Sequence, residues 1–493
     1  MKIVLINVSG RMASDGSRLI AALLKREGHE VKTVFMARPE PLEYEMEELN
    51  ALAGLLADVD LVLVAVYSSY ALRAVQVTEF IHKKFPGLRV IWGGPHCISV
   101  PEICLQYADG VCFSEGDEAI VDLVNRMEQG IDYFDTPNMA FKVNGSYKVN
   151  KVLPPFSDLD SLPYYDYALE DHYLLDRDLI PMDKKILKER LAGYPYYIPI
   201  LYVVTSRGCP HSCSYCNNCR YLKMFGVNSI RFQSVDRVIQ ELEYVLGQLD
   251  FISFIGIGDD DFFIRPKDDL IYFAEEYKRR IRLPFGVAMS ANSFHEEKMR
   301  ILLHAGLRAV QVGVQSGSQR VLTEVYSRTV KVSKVKRVID EIEQYHHSHD
   351  LDFFVDFIID NPYETRDDIY ETFAFIRDLP GFVNINIFFL AFFPGTPIYE
   401  RALEDGFIEP FDERAFRFYT RTHIQYQKNF ETFLILLSHF LRRHPWLNRF
   451  FPKILWRILG SKIIRKAASA LPGSLYSSLG KTTQKKYVYG VSS

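Results

Sequence analysis

The sequence is short of cysteine and tryptophan, with seven and three in 493 residues. So few cysteines, odd in number, argue against a disulfide-stapled secreted scaffold. The opening "MKIVLINV" reads as a strand and lacks the charged and apolar regions of a secretory leader. A reducing, cytoplasmic setting is therefore expected. No run reaches the roughly 18 apolar residues that a membrane span needs. A strong excess of one charge is also lacking, since 58 Lys and Arg face 62 Asp and Glu. The near balance hides an asymmetry. From Glu431 to Ser493 there are eleven Lys and Arg and a single acid, so the end of the chain is basic and the body acidic. With 48% hydrophobic and 24% charged residues the chain is globular, and its length predicts two or three domains.

The first 130 residues alternate cleanly. Apolar runs at 2–8, 30–36, 59–66, 88–94 and 109–114 read as buried strands, separated by amphipathic segments such as 14–26 and 72–84. This pattern predicts a parallel sheet covered on both faces, a doubly wound Rossmann-like domain over 1–135. Such sheets take ligands at the carboxyl ends of their strands. Residues 136–198 read as a connector rich in proline and aspartate, with one helix in 179–199. A second series follows, with strands at 199–206, 251–258, 284–291, 308–315, 351–360 and 384–393 and helical segments between them. Six βα units predict a partial barrel over 199–410, so the expected fold class is α/β throughout. A helical, basic extension occupies 411–493.

One loop carries most of the chemistry. In "TSRGCPHSCSYCNN" (205–218), Cys209, Cys213 and Cys216 follow a Cys-x3-Cys-x2-Cys pattern just after the first barrel strand. That places them on the face where βα barrels build active sites. Thiolates this close can converge on a soft metal centre. With Cys219 as a fourth ligand the loop would suit structural zinc in a non-catalytic protein. With three ligands it suits a 4Fe–4S cluster whose fourth iron is open to substrate, unlike the four-cysteine clusters of electron carriers.

The pattern with Tyr215 before the last cysteine resembles the radical S-adenosylmethionine (SAM) superfamily. "SRGCP" resembles members with an N-terminal cobalamin-binding domain. Further landmarks follow in order over most of residues 1–410: "VIWGGPHCISVPE" (90–102), "SEGDEAIVDLV" (114–124), "GDDDFF" (258–263), "AGLRAVQVGVQSGS" (305–318), "DNPYETRDDI" (360–369) and "FFPGTPIYERALEDG" (392–406). The resemblance implies that Cys209, Cys213 and Cys216 hold a 4Fe–4S cluster. SAM then chelates the open iron and is cleaved reductively to a 5′-deoxyadenosyl radical. Tyr215 is expected near the adenine and Asp259 or Asp260 at the amino group of SAM. Asn292 is expected at the ribose or carboxylate, with Gln315 at the end of the fourth barrel strand. Pro394, Gly395 and Thr396 are expected to shape the rim of the pocket.

For the N-terminal domain the resemblance implies cobalamin. The Asp-x-His-x-x-Gly motif that supplies an axial histidine is absent. Ser68, Ser69, Gly93 and Gly94 at strand ends would let the nucleotide tail approach the backbone, with His96 beside it. The activity implied is methylation of an unactivated carbon or phosphorus. The alternative is cyclisation or oxidation without net methylation. A small-molecule or lipid-like substrate and a low-potential donor such as a ferredoxin or flavodoxin are the expected partners. The basic tail suits a lid, a packed helical extension or a contact with a membrane surface. Nucleic acid is not expected, because no accessory RNA-binding domain is recognisable.

Overall fold

Continuous apolar runs in the first third form the centre of a nine-stranded sheet. The computed structural model describes residues 1–13, 15–37, 43–193, 195–226, 230–412, 428–473 and 475–476. The parallel strands β1 (Lys2–Asn7), β2 (Glu30–Met36), β3 (Leu61–Ala65), β4 (Arg89–Gly93) and β5 (Gly110–Cys112) lie in the order β5-β4-β3-β1-β2. The order reverses between β1 and β3, which opens a crevice at their carboxyl ends. Helices Asp15–Arg26, Ala71–Lys84 and Asp117–Glu128 intervene between the strands. The runs carry little alternation because both faces are buried: Val4, Ile6, Leu61, Val62 and Val64 are all enclosed.

Residues 139–181 add to this sheet. The antiparallel hairpin β6 (Met139–Val143) and β7 (Ser146–Val149) extends the β5 edge. At the other edge β8 (His172–Leu175) pairs in parallel with β2, and β9 (Leu179–Pro181) pairs antiparallel with β8. These strands are short, and sequence periodicity says little about segments of three to five residues.

The second sheet begins with β10 (Ala192–Gly193) and β11 (Ile198–Val203). A two-stranded ribbon, β12 (Ser206–Arg207) with β13 (Arg231–Phe232), branches from it. Then come β14 (Phe254–Ile257), β15 (Phe285–Met289), β16 (Leu307–Gln315), β17 (Asp352–Ile359) and β18 (Val383–Phe389), in the spatial order β10-β11-β14-β15-β16-β17-β18. From β11 onward all neighbours are parallel. This is a curled half-barrel of six βα units. Helices Val235–Gln248, Lys267–Arg280, Glu296–Ala305, Val332–His349 and Arg366–Asp378 separate its strands.

The described part of the C-terminal extension is helical, and its first described helix, Asn429–Arg443, packs on Arg366–Asp378. Arg442 donates to the carbonyls of Leu379 and Pro380, both at 2.6 Å. Two shorter helices, Lys453–Leu459 and Lys462–Ala468, follow a break at Pro452.

Candidate active site

The cysteine loop leaves β11 under tight local control. Asp259, just beyond β14, accepts from Thr205 N and Oγ1, both at 2.6 Å, and from Ser206 N at 3.0 Å. Arg265 adds bonds to Thr205 O and to Gln233 O. Asp259 is thereby buried and committed to fixing where the loop begins. Further on, Ser214 donates to Val325 O at 2.6 Å and, through its backbone, to Tyr326 O at 3.0 Å. Two turns, Cys216 N to Cys213 O and Cys219 N to Cys216 O, then lead into helix Asn218–Phe225.

Cys209 and Cys213 are buried, and Cys216 is partly so. Burial pushes the Cys209 and Cys216 thiols up to about 12, with the Asp260 carboxylate adding to the effect. Bare, these thiols keep their protons, and a metal centre would be what draws them off as thiolates. Among the described residues no three His, Cys, Asp or Glu side chains gather closely enough to share one metal ion. The donor set fits a cluster better, because each thiolate of a cluster binds its own iron.

Opposite charges flank the thiols. Asp260 is the carboxylate that acts on Cys209 and Cys216; burial raises its own pKa and a hydrogen bond from Asn218 works against that rise. Arg328 lies on the side of Cys213. Its Nη1 is 3.7 Å from the Cys213 sulfur and donates to the Tyr215 hydroxyl at 2.8 Å, while Nη2 donates to Gly313 O at 2.8 Å. Tyr215 meets Tyr326 edge to face at 5.0 Å. A cavity of about 70 Å³ beside them is lined by Cys213, Asn292, Arg328 and Thr329, and Asn292 donates to the Thr329 hydroxyl at 3.1 Å. Gln315 takes a positive φ of 69° and folds back over Gly313, with its buried Oε1 unbonded in the structure. Asp261 is occupied elsewhere, by Ser290 N and the Ser293 hydroxyl. Arg328 escaped the sequence reading because its contact with Cys213 spans 115 positions and follows no local pattern.

A half-open cleft of about 390 Å³ lies between the two sheets. One wall is the carboxyl edge of the first sheet, including Ala65, Gly93, Gly94, Cys112 and Ser114. The other is Arg207, Gly208, Asn218, Gly258 and Asp260, from the cysteine loop and the end of β14. Gly94 sits at φ +102°, and a Cβ there would lie 2.9 Å from Val66 O. Only glycine allows this approach. Ser68 and His96 are seated elsewhere: Oγ and Nδ1 are 3.0 Å apart, both side chains are buried, and the imidazole stacks obliquely on Phe411 at 5.3 Å. Neither they nor Ser69 line the cleft.

A second cavity of about 870 Å³ fills the half-barrel. Gly256, Gly286, Ala288 and Ala309 leave the room, and Tyr196, Tyr202, Phe254, Phe354 and Phe388 supply aromatic walls. Asp356 accepts from Gln311 Nε2 at 2.7 Å and from Asn386 Nδ2 at 2.9 Å, and burial raises its pKa. Helix Asn429–Arg443 closes one side with Leu436, His439 and Arg443. Gly258 lines both cavities, and its neighbours Asp259 and Asp260 line one each.

Two family models match the chain. The radical SAM superfamily model covers residues 203–376, and the B12 binding domain model covers residues 1–124. An uncharacterized methyltransferase of Pyrococcus horikoshii is 25% identical over 360 residues, 71% of this chain and 71% of the relative. An anaerobic magnesium-protoporphyrin IX monomethyl ester cyclase of Rubrivivax gelatinosus is 23% identical over 62% of this chain and 51% of its own length. Among solved structures, the radical SAM methyltransferase TsrM of Kitasatospora setae, with cobalamin and a [4Fe-4S] cluster bound, matches with a TM-score of 0.65 at 17% identity. The match covers 82% of this chain and 78% of that one, and it is a likeness of fold.

Proposed function

We propose, for a chain that joins a radical SAM domain to an N-terminal B12-binding domain, that it is a cobalamin-dependent methyltransferase. It acts on an unactivated carbon, or on phosphorus, of a large and mostly apolar substrate. One observation carries the reading: the cleft of the first domain and the cavity of the half-barrel meet at Gly258–Asp260, beside the three-cysteine loop. A group held in the cleft and a substrate held in the barrel would both border that turn.

The residues present fit the three cofactors. Cys209, Cys213 and Cys216 would hold a 4Fe–4S cluster. The cleft edged by Gly93 and Gly94 would hold cobalamin. Bound together, the cluster, SAM and cobalamin supply one-electron chemistry and a transferable methyl group. The chain's own task is to bind and orient. Asp260 on one flank and Arg328 on the other match the ammonium and carboxylate of an amino acid, and charge-assisted bonds in a partly buried site fix its orientation. Asn292 and the unbonded Gln315 Oε1 offer further polar contacts on the Arg328 side. The aromatic walls of the barrel suit a substrate with a flat or extended apolar body. The Gln311–Asp356–Asn386 network and Arg443 offer that substrate a few polar contacts. A low-potential donor of the ferredoxin or flavodoxin class supplies the electrons.

The test is anaerobic incubation of the reconstituted protein with SAM, a low-potential reductant and hydroxocobalamin, read by mass spectrometry of the nucleosides. Both 5′-deoxyadenosine and S-adenosylhomocysteine are expected. Deoxyadenosine alone would favour the cyclase-like reading that the Rubrivivax relative's name suggests.

A further inference from the structure

The last described helices expose the wrong side chains for water. Helix Lys453–Leu459 is anchored by Trp456, which packs on Phe373 at 5.5 Å and Phe451 at 5.6 Å. A helix held this way normally turns polar residues outward. Here Ile454 and Ile458, one helical turn apart, stand 66% and 51% exposed. Phe450 just before them is 67% exposed, and Ile463 on the next helix is 81% exposed. Trp446, Leu471 and Leu475 are exposed as well. Seven of the twenty exposed large hydrophobic side chains among the described residues thus fall between 446 and 475, far more than a segment of that length should hold by chance.

The same segment is basic. Arg449, Lys453, Arg457, Lys462 and Lys466 are all exposed, and no Asp or Glu occurs after Glu431. Apolar and cationic side chains therefore alternate on one short stretch of surface. An occupant must offer apolar depth and negative charge together. A second copy meeting this surface with its own would set cation against cation. A nucleic-acid backbone would satisfy the cations but leave the isoleucines in water. No described helix is long and apolar enough to cross a membrane, so a bilayer would be met at its surface.

We propose that residues 446–475 dock the enzyme on a membrane surface rich in anionic lipid. Phe450, Ile454, Ile458 and Ile463 enter the headgroup region while the five cations meet lipid phosphates. The proposal stands apart from the methyl-transfer reading, since it rests on surface residues that line none of the cavities described above. It also places the bilayer close in sequence to Arg443, the last residue of the helix that closes the barrel cavity.

The experiment is flotation of the full chain with vesicles of phosphatidylcholine alone, or of phosphatidylcholine mixed with phosphatidylglycerol. Binding to the mixed vesicles and not to the neutral ones is expected, weakening as salt rises. Replacing Ile454, Ile458 and Ile463 together by Ser is expected to lower binding by at least about tenfold. Lys453→Glu with Arg457→Glu and Lys462→Glu should do the same. All substituted side chains are exposed, and an unchanged melting temperature controls for folding. Equal binding to both vesicle types, binding to neither, or a dimer that the Ser variant dissolves would each overturn the proposal.

Discussion

Arg207 holds Asp117 through two parallel hydrogen bonds, Nη1 to Oδ2 at 2.7 Å and Nη2 to Oδ1 at 2.8 Å. Arg207 lies two residues before the first cysteine of the loop. Asp117 opens helix Asp117–Glu128 of the first domain and is buried. Nearby, Arg231 grips Glu115 in the same manner, at 2.9 and 2.6 Å. The cleft between the domains is thus bordered by forked ion pairs, which fix orientation as well as distance.

Arg207→Ala leaves the Asp117 carboxylate buried without its main partner. A loss of about 3 kcal/mol is expected, at the low end for a buried pair because Arg207 keeps some contact with water. Arg207→Lys keeps the charge but not the fork and should recover only part of it. Urea denaturation measures both, and an alanine variant as stable as the parent would show that the pair does not hold the domains.

Cys213→Ala is expected to abolish the iron–sulfur cluster, whereas Cys219→Ala is expected to retain it. Iron and sulfide analysis with the visible spectrum decides the matter. Cluster loss in the Cys219 variant would point to four-cysteine ligation and remove the open iron on which the proposed function depends.

Gly94→Ala should destabilise by about 1–3 kcal/mol, because it combines a left-handed backbone with a Cβ only 2.9 Å from Val66 O. The same change should lower the cobalamin retained after desalting. Gly28, at φ +90° with nothing near its missing Cβ, is the control. Gly28→Ala bears the backbone strain alone and should leave cobalamin retention unchanged.

His172 gives the chain an acid-sensitive point. Burial, and then the Arg18 cation, lower its pKa to about 3. Between that value and the ordinary 6.5 the unfolded chain binds a proton that the folded chain refuses. Stability from this group is therefore complete above about pH 6.5 and is lost as the pH falls toward 3. His172→Gln should flatten the acid side of the stability profile, measured by denaturant midpoints across that range. An unchanged slope would show that His172 does not contribute.

The parallel centre of the first sheet was legible because its strands are continuous apolar runs buried on both faces, and the barrel strands because apolar runs are punctuated by amphipathic helices. The cysteine loop was legible because three ligand-type residues lie within eight positions. Pairings across the chain were not. Of the adjacent Asp259 and Asp260, the first is spent on Thr205 and Ser206 and the second stands by the thiols, a difference made by the end of β11 some fifty residues away. His96 looked suited to a ligand from its place after Gly93 and Gly94, yet the fold turns it onto Ser68 and Phe411. Arg328 and the helix that closes the barrel share the same difficulty, since periodicity reports which face of an element is apolar and not what that face will meet.

The wall formed by Leu436, His439 and Arg443 also has a consequence in time. These residues lie beyond the last barrel strand, so a ribosome has made all of β11–β18 before it makes them. Domains form as units while the chain emerges from its N-terminus. The half-barrel therefore passes through a stage of synthesis in which its chamber stands open on that side.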